Sequence, residues 1–374
     1  MWQGILGHDR IVERFRRAAA QDRLGGSFLF VGPPGVGKAT FARRLAQALL
    51  CQTSSEAALD PCNSCNSCSM VLAGNHPDLH IVGKPPDKSF IPLETFVGER
   101  ERRMREGLIY ELSLKPFLGG RKIAIIDDAD YLHAESANCL LKTLEEPPPR
   151  TVIILIGVSP ARQLPTIRSR CQLVRFQPLE PEMVQEILLR EQTATDPAEA
   201  RRLALLSEGS LERARQLADA HLWDFRKTLW IGLSQARLDP LGLAEQVSAQ
   251  VESAGQEASA RRERLRVIVG MAAEYYRQVL YQHSGGQERG PLQAPPREPS
   301  KPGSSQAPRT WMFLDPQETE AIQNWGAGLE AAAERLDRCL EAAEQIDRNA
   351  NLALLIEAWL VDLAGTIAAA GSCS

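Results

Sequence analysis

The sequence predicts a doubly wound α/β domain over residues 1–178, followed by a part built of helices alone. Three observations carry this. The run SFLFVG (27–32) is short, apolar and rich in β-forming residues, and the glycine-rich GPPGVGK (32–38) turns from it directly into a helical pattern. Two further apolar runs, RKIAIIDDAD (121–130) and TVIILIGVS (151–159), alternate with helical stretches, as parallel strands buried on both faces do. After Pro178 helical patterning continues without strand-like runs.

Each element has a local reason. KATFARRLAQALLC places Phe41, Leu45 and Leu49 four apart, one buried stripe of a helix. The second strand ends in Asp127 and Asp128, at the carboxyl edge where ligands of open α/β sheets bind. ESANCLLKTLEE puts Ala137, Leu140, Leu141 and Leu144 on one face and is stopped by Pro147, Pro148 and Pro149. QLVRF (172–176) reads as a fourth strand. Beyond it, PEMVQEILLREQ and DPAEARRLALLSEGSLERARQLAD are helical, the second opened by Asp196 as cap with Pro197 in the first turn. Helices follow in LWDFRKTLWIGLSQ, in 256–282, in 316–345 and in NLALLIEAWLVDLAG. Between them, 14 of the 27 residues of 283–309 are Pro, Gly or Ser, the composition of a flexible insert.

A net charge of −4 argues against a chain that binds polyanions by bulk electrostatics. RERRMREG, from Arg100, reads as the solvated face of a helix. No apolar run approaches the ~20 residues of a membrane span, and the charged start MWQGILGHDRIVERF lacks a signal-type stretch, so a cytoplasmic location is expected. Of eight cysteines, Cys51, Cys62, Cys65 and Cys68 form a C-x10-C-x2-C-x2-C pattern, whereas Cys139, Cys171, Cys339 and Cys373 are isolated. The C-x2-C steps let thiolates converge on one tetrahedral ion, so structural Zn2+ is expected, with four ligands and no open position for catalysis. Free thiols or disulfides are the alternative, which a reducing compartment disfavours.

GPPGVGK, the cysteine cluster behind its helix, IIDDAD, LLKTLEEPP and LPTIRSRC occur in the order found in bacterial clamp-loader AAA+ subunits of DNA polymerase III, and the chain resembles that family. The phosphate loop alone is shared by many NTPases; LLKTLEEPP, IRSRC and the cysteine spacing are far more specific. The match is strong over about residues 1–180 and architectural beyond. The resemblance implies a RecA-like AAA+ domain (1–178) with a zinc module at about 51–70. A helical lid (179–220) and an all-α collar domain (221–374) would follow. Implied partners are gamma/tau and delta subunits in a hetero-pentameric ring, with the sliding clamp and primed DNA reached through the assembled complex.

The resemblance also assigns residues, and the sequence departs from it at some of them. In a working loop the backbone around Gly32, Gly35 and Gly37 cradles phosphates, Lys38 reaches the β and γ oxygens, and the next Ser/Thr ligates Mg2+. Here Ala39 stands at that place, and Thr40 lies ~100° further round the helix. Family ATPases follow the metal-binding Asp with Glu; here the pair is Asp127-Asp128, one methylene short. ATP/Mg2+ binding therefore stays open, and hydrolysis is expected to be poor. Ser159 matches a sensor position, whereas Glu212 stands where motor subunits place an Arg, with Arg213 one step later. Arg170, in SRC, matches the arginine finger that reaches a neighbour's ATP. These features imply a stator completing another subunit's site. The alternatives are a gamma/tau motor ATPase and, from another class, an unrelated P-loop nucleotide-binding module.

Overall fold

A computed structural model describes residues 2–284 and 316–365, apart from 3, 22, 104, 119 and 349. It divides into two compact units, Met1–Arg215 and Gln216–Ser374.

The first unit is built on a five-stranded sheet of β1 (Gly26–Val31), β2 (Leu79–Val82), β3 (Lys122–Ile126), β4 (Thr151–Gly157) and β5 (Gln172–Arg175). Their order is β2-β3-β4-β1-β5, and every pairing is parallel. The four expected strands form, and β2 adds an edge strand the sequence did not announce. It has only four residues, interrupts its apolar run with His80 and leaves Ile81 exposed. β3 and β4 are buried throughout, which is why they read as continuous apolar runs. Alternation divides the core into two layers. Phe28 and Phe30 of β1 join Phe15, Phe41 and Phe176 on one face, and Leu29 and Val31 join Ala137, Leu140 and Leu144 on the other. The helix Lys38–Leu50 buries Phe41, Leu45 and Leu49 as its spacing requires.

The cysteine-bearing segment is fastened to this core at several points. Trp2 donates through Nε1 to the Leu59 carbonyl at 2.6 Å, and the buried Arg121 donates to Glu56 at 2.7 Å and to the Leu24 carbonyl at 2.8 Å. Ser67 donates to the carbonyl of Leu50, the last residue of the helix behind the phosphate loop, at 2.6 Å.

Three helices close the unit: Pro181–Arg190, Pro197–Leu206 and Leu211–Leu217. Asp196 caps the second, accepting from the Ala198 and Glu199 N–H groups at 3.2 and 3.3 Å. The run 196–219 is therefore not continuously helical: it breaks at Glu208 and Gly209, both at positive φ (52° and 82°). A Cβ on Gly209 would come within 2.6 Å of the Leu179 carbonyl oxygen, so only glycine fits this corner. Arg100–Arg102 is a short 3-10 turn, not a helix face; its arginines are exposed, and Arg102 pairs with Glu106 at 2.7 Å.

The second unit is helical among its described residues: Ala220–Ser234, Pro240–Glu252, Ala258–His283, Pro316–Gln323, Gly328–Asp347 and Leu352–Gly365. Pro240–Glu252 was not anticipated, although Asp239-Pro240 repeats the Asp196-Pro197 start signal. The expected helix 316–345 is two helices, separated where Trp325 Nε1 donates to the Gly328 carbonyl at 2.9 Å. Trp230, Tyr275, Tyr276 and Trp359 fill the core, and Arg226 is buried between Glu318 at 3.0 Å and the Trp230 ring at 4.1 Å. The insert expected at 283–309 lies, from 285 onward, outside the described residues. Among the described residues no helix is long and apolar enough to cross a membrane.

Candidate functional site

The phosphate loop follows β1, and the adjoining strand end comes beside it where the Gly32 N–H donates to the Val158 carbonyl at 3.0 Å. Gly37, at φ 93°, turns the chain into the helix that begins at Lys38. Lys38 is 8% exposed. Its Nζ donates to the Gly32 and Pro33 carbonyls, both at 2.7 Å, so the ammonium is turned back onto its own loop. Burial lowers its pKa, and Asp127, Asp130 and Glu212 oppose that effect. The third helix of this unit's C-terminal part seals the cradle: Leu211 N–H donates to the Gly35 carbonyl at 2.9 Å. Gly35 is at φ 72°, and a Cβ there would lie 2.3 Å from Ser210 Oγ and 2.6 Å from Glu212 Cβ. The loop's glycine therefore serves the approach of the chain's own backbone as well as the phosphate-type turn.

Asp127 and Asp128 both stand beside Gly83, and their cationic neighbours differ. Asp127, whose N–H is held by the Val82 carbonyl at 2.8 Å, contributes to the field at Lys38. Asp128 sits in the left-handed region at φ 55° and approaches Gly83 and Lys84, at the end of β2. Desolvation raises its pKa, Asp127 adds repulsion, and Lys84 pulls it back. Ser159 follows β4 and caps a short turn, its Oγ accepting from the Arg162 N–H at 3.4 Å. Thr40 is exposed, on the outside of the helix. Asp130 escaped the sequence reading: its carboxylate accepts from Val158 N–H at 2.7 Å and Gln163 Nε2 at 2.6 Å, clasping the ends of β3 and β4 together. The acid-rich run DDAD was the available signal. Arg213 pairs with Glu208 at 3.2 Å.

Arg170 lies between the short helix Pro165–Arg168 and β5. Its Nε donates to Glu145 Oε2 at 2.8 Å, and one terminal nitrogen donates to the Thr166 carbonyl at 3.2 Å and to Ser169 Oγ at 3.4 Å. The side chain is 30% exposed.

The four cysteines converge. Cys51 ends the helix Lys38–Leu50, and Cys65 caps the helix Asn66–Ala73. Their sulfur atoms and those of Cys62 and Cys68 all lie within 4.8 Å of one another. Cys51–Cys65 and Cys62–Cys68 stand at 4.0 and 3.9 Å. A tetrahedral ion with Zn–S bonds of ~2.3 Å separates its sulfurs by about 3.8 Å, so the donor set fits zinc. Hydrogen bonding from Thr53 and Ser64 holds Cys62 down at about 5, whereas burial pushes Cys68 up to about 12. The Ser64 and Cys65 N–H groups point at the Cys62 sulfur at 3.4 and 3.2 Å, as they do toward thiolate ligands.

Comparison with known proteins bears on this geometry. A family profile described as "DNA polymerase III, delta subunit" matches residues 7–180. The DNA polymerase III subunit delta' of Bacillus subtilis is 36% identical over 203 residues, covering 54% of this chain and 57% of that protein. This part of the chain is delta-prime-like. The match spans little more than half the length of that relative. The DNA polymerase III subunit tau of Escherichia coli is 31% identical over 219 residues, covering 58% of this chain and 32% of that protein. A solved DNA polymerase III gamma subunit-related protein of Thermotoga maritima is 16% identical and covers 96% of this chain and 100% of that one, with a TM-score of 0.40. The expected α/β architecture stands: a parallel five-stranded sheet with a glycine-rich loop after β1 and a delta-prime-like sequence, an inserted four-cysteine module and a helical C-terminal part.

Proposed function

We propose that the chain acts as a delta-prime-like stator of the DNA polymerase III clamp loader. In this reading residues 179–220 form its lid and 221–374 the collar that joins a hetero-pentameric ring with gamma/tau and delta subunits. The ring places the sliding clamp on primed DNA in the cytoplasm. The observation that carries the reading is an asymmetry of donors. Lys38, the cation of the chain's own cradle, is satisfied by Gly32 and Pro33, under a lid that touches Gly35. Arg170 keeps one terminal nitrogen without a hydrogen bond among the described residues.

Such a guanidinium can donate two N–H groups to the γ-phosphoryl oxygens of ATP held by a neighbouring gamma/tau subunit, offsetting the charge that develops there. The chain's own site lacks the hydroxyl at residue 39, and Asp128 faces Lys84. These features support weak or absent hydrolysis by this chain. Zinc held by Cys51, Cys62, Cys65 and Cys68 would supply folding energy to the insert and no chemistry. A second reading, a gamma/tau motor, draws on the similarity to tau and on the retained Lys38 and Asp127.

The test is Arg170→Ala in a reconstituted loader. The reading expects an assembled ring whose DNA-stimulated ATP turnover falls by about 10²-fold or more; unchanged turnover would refute the finger. Turnover by the isolated chain that disappears in Lys38→Ala would support the motor instead.

A further inference from the structure

Arg170 has five N–H donors on three nitrogens, and their use is uneven. Nε is held by Glu145 Oε2 at 2.8 Å, and one terminal nitrogen is held by the Thr166 carbonyl and Ser169 Oγ. The remaining terminal nitrogen bonds to nothing among the described residues. Two of the acceptors, Thr166 and Ser169, come from Arg170's own turn and move with it. Glu145 does not: it is the last residue of the helix Ala134–Glu145, whose Ala137, Leu140 and Leu144 are buried against the sheet. A carboxylate at a helix C-terminus is opposed by the helix dipole. Nothing in the packing of that helix calls for an acid there, since the Glu145 side chain is 60% exposed. Among the described residues, the hydrogen bond its side chain makes is to the arginine.

We propose that Glu145 is a positioning residue for Arg170. It fixes the guanidinium plane from the Nε side, on a rigid helix, so that the unbonded nitrogen is presented as a preset donor to an anion outside the chain. The proposal rests on the reading of Arg170 as a finger and adds what aims it. A flexible arginine must lose side-chain freedom each time it engages; one held at Nε and at one terminal nitrogen has lost it beforehand. An exposed ion pair of this kind contributes little to folding, so removing the carboxylate leaves the chain folded. Gln retains an acceptor oxygen at nearly the same place and Ala does not, which separates aiming from mere charge.

The experiment compares Glu145→Gln, Glu145→Ala and Arg170→Ala in the reconstituted loader, with ATP turnover resolved into kcat and KM. Glu145→Ala should lower kcat on the order of 10-fold with KM for ATP within about twofold, the pattern of an interaction made in the transition state. Glu145→Gln should recover most of that loss. In the isolated full chain, the Arg170 Nε–H resonance should be protected from exchange in the parent and in Glu145→Gln, and lost in Glu145→Ala. Parental kcat in Glu145→Ala beside a crippled Arg170→Ala overturns the positioning role alone, as does a rise in kcat, which would make Glu145 a restraint. Unchanged turnover in Arg170→Ala removes the finger and its positioner together.

Discussion

Two cations of one domain face opposite ways. Lys38 sits at the mouth of the phosphate loop, 8% exposed, with its ammonium on two carbonyls of that loop. Arg170 stands at the start of β5, 30% exposed, gripped on one side by Glu145 and open on the other. Both lie in stretches that the sequence marks for nucleotide chemistry, Lys38 in a loop that departs from the working pattern at Ala39 and Arg170 in an unaltered SRC. Their surroundings separate them. The lysine's donors close a local structure under Ser210, Leu211 and Glu212, whereas the arginine keeps one terminal nitrogen unbonded among the described residues. In the proposed reading the first motif persists as scaffold and the second as chemistry, and the hydrogen-bond partners are what favours that division.

The largest effect that sharpens this comparison concerns the insert behind the Lys38 helix. Cys68→Ser removes the buried ligand of the four-cysteine cluster; bound zinc should fall from one per chain toward none, and residues 51–70 should become the first site of protease cleavage. Structural zinc sites carry ~10 kcal/mol of binding that is folding energy, so the loss should be obvious in a metal analysis and in a melting curve. Because the ligands must be thiolates, zinc retention in the parent should weaken as pH falls. Zinc that stays bound in Cys68→Ser would break the cluster as drawn.

Next in size is Gly35→Ala. The new methyl would meet Ser210 and Glu212 and strain a positive φ, so the segment 210–212 must shift, at about 1–3 kcal/mol. Hydrogen exchange should show opening confined to the loop and to Leu211–Leu217. Unaltered exchange there would mean that the helix Leu211–Leu217 does not rest on the loop in solution.

Ala39→Ser restores the absent hydroxyl. If the cradle is closed by its own lid and lysine, Mg-ATP turnover by the isolated chain should remain at background, as measured by phosphate release. Turnover that appears in this single variant would show the cradle to be one atom from activity.

The smallest expected effect is at Asp128. Its raised pKa means that the folded state disfavours the carboxylate: the penalty is present above the folded pKa and disappears as pH falls and the group protonates. Asp128→Asn, which also tolerates the left-handed conformation, should melt slightly higher than the parent at pH 7, with the gain shrinking toward acid. A lower melting point at pH 7 would assign Asp128 a charged partner it needs.

What the sequence disclosed follows from the range of the interactions. β3 and β4 were legible because both faces of each are buried and their residues are uniformly apolar. The cysteine cluster was legible because its spacing is local. β2 was not: four residues with His80 inside are indistinguishable from loop until β3 pairs with them. The break at Gly209 was hidden by flanking helical patterns and is imposed by Leu179, thirty residues earlier. The site divided the same way. Ala39 and Asp128 could be read as departures, but the inward turn of Lys38 and the approach of Leu211 to Gly35 depend on the fold. So does the grip of Glu145 on Arg170, which joins LEEPP and SRC, two motifs recognisable separately and silent about each other.

The most direct measurement is a paired one: ATP turnover by the reconstituted loader carrying Lys38→Ala or Arg170→Ala in this chain, with assembly checked for both. The account predicts turnover within about twofold of the parent for Lys38→Ala and a loss of about 10²-fold or more for Arg170→Ala. The reverse pattern would contradict it and make this chain's own cradle the working site.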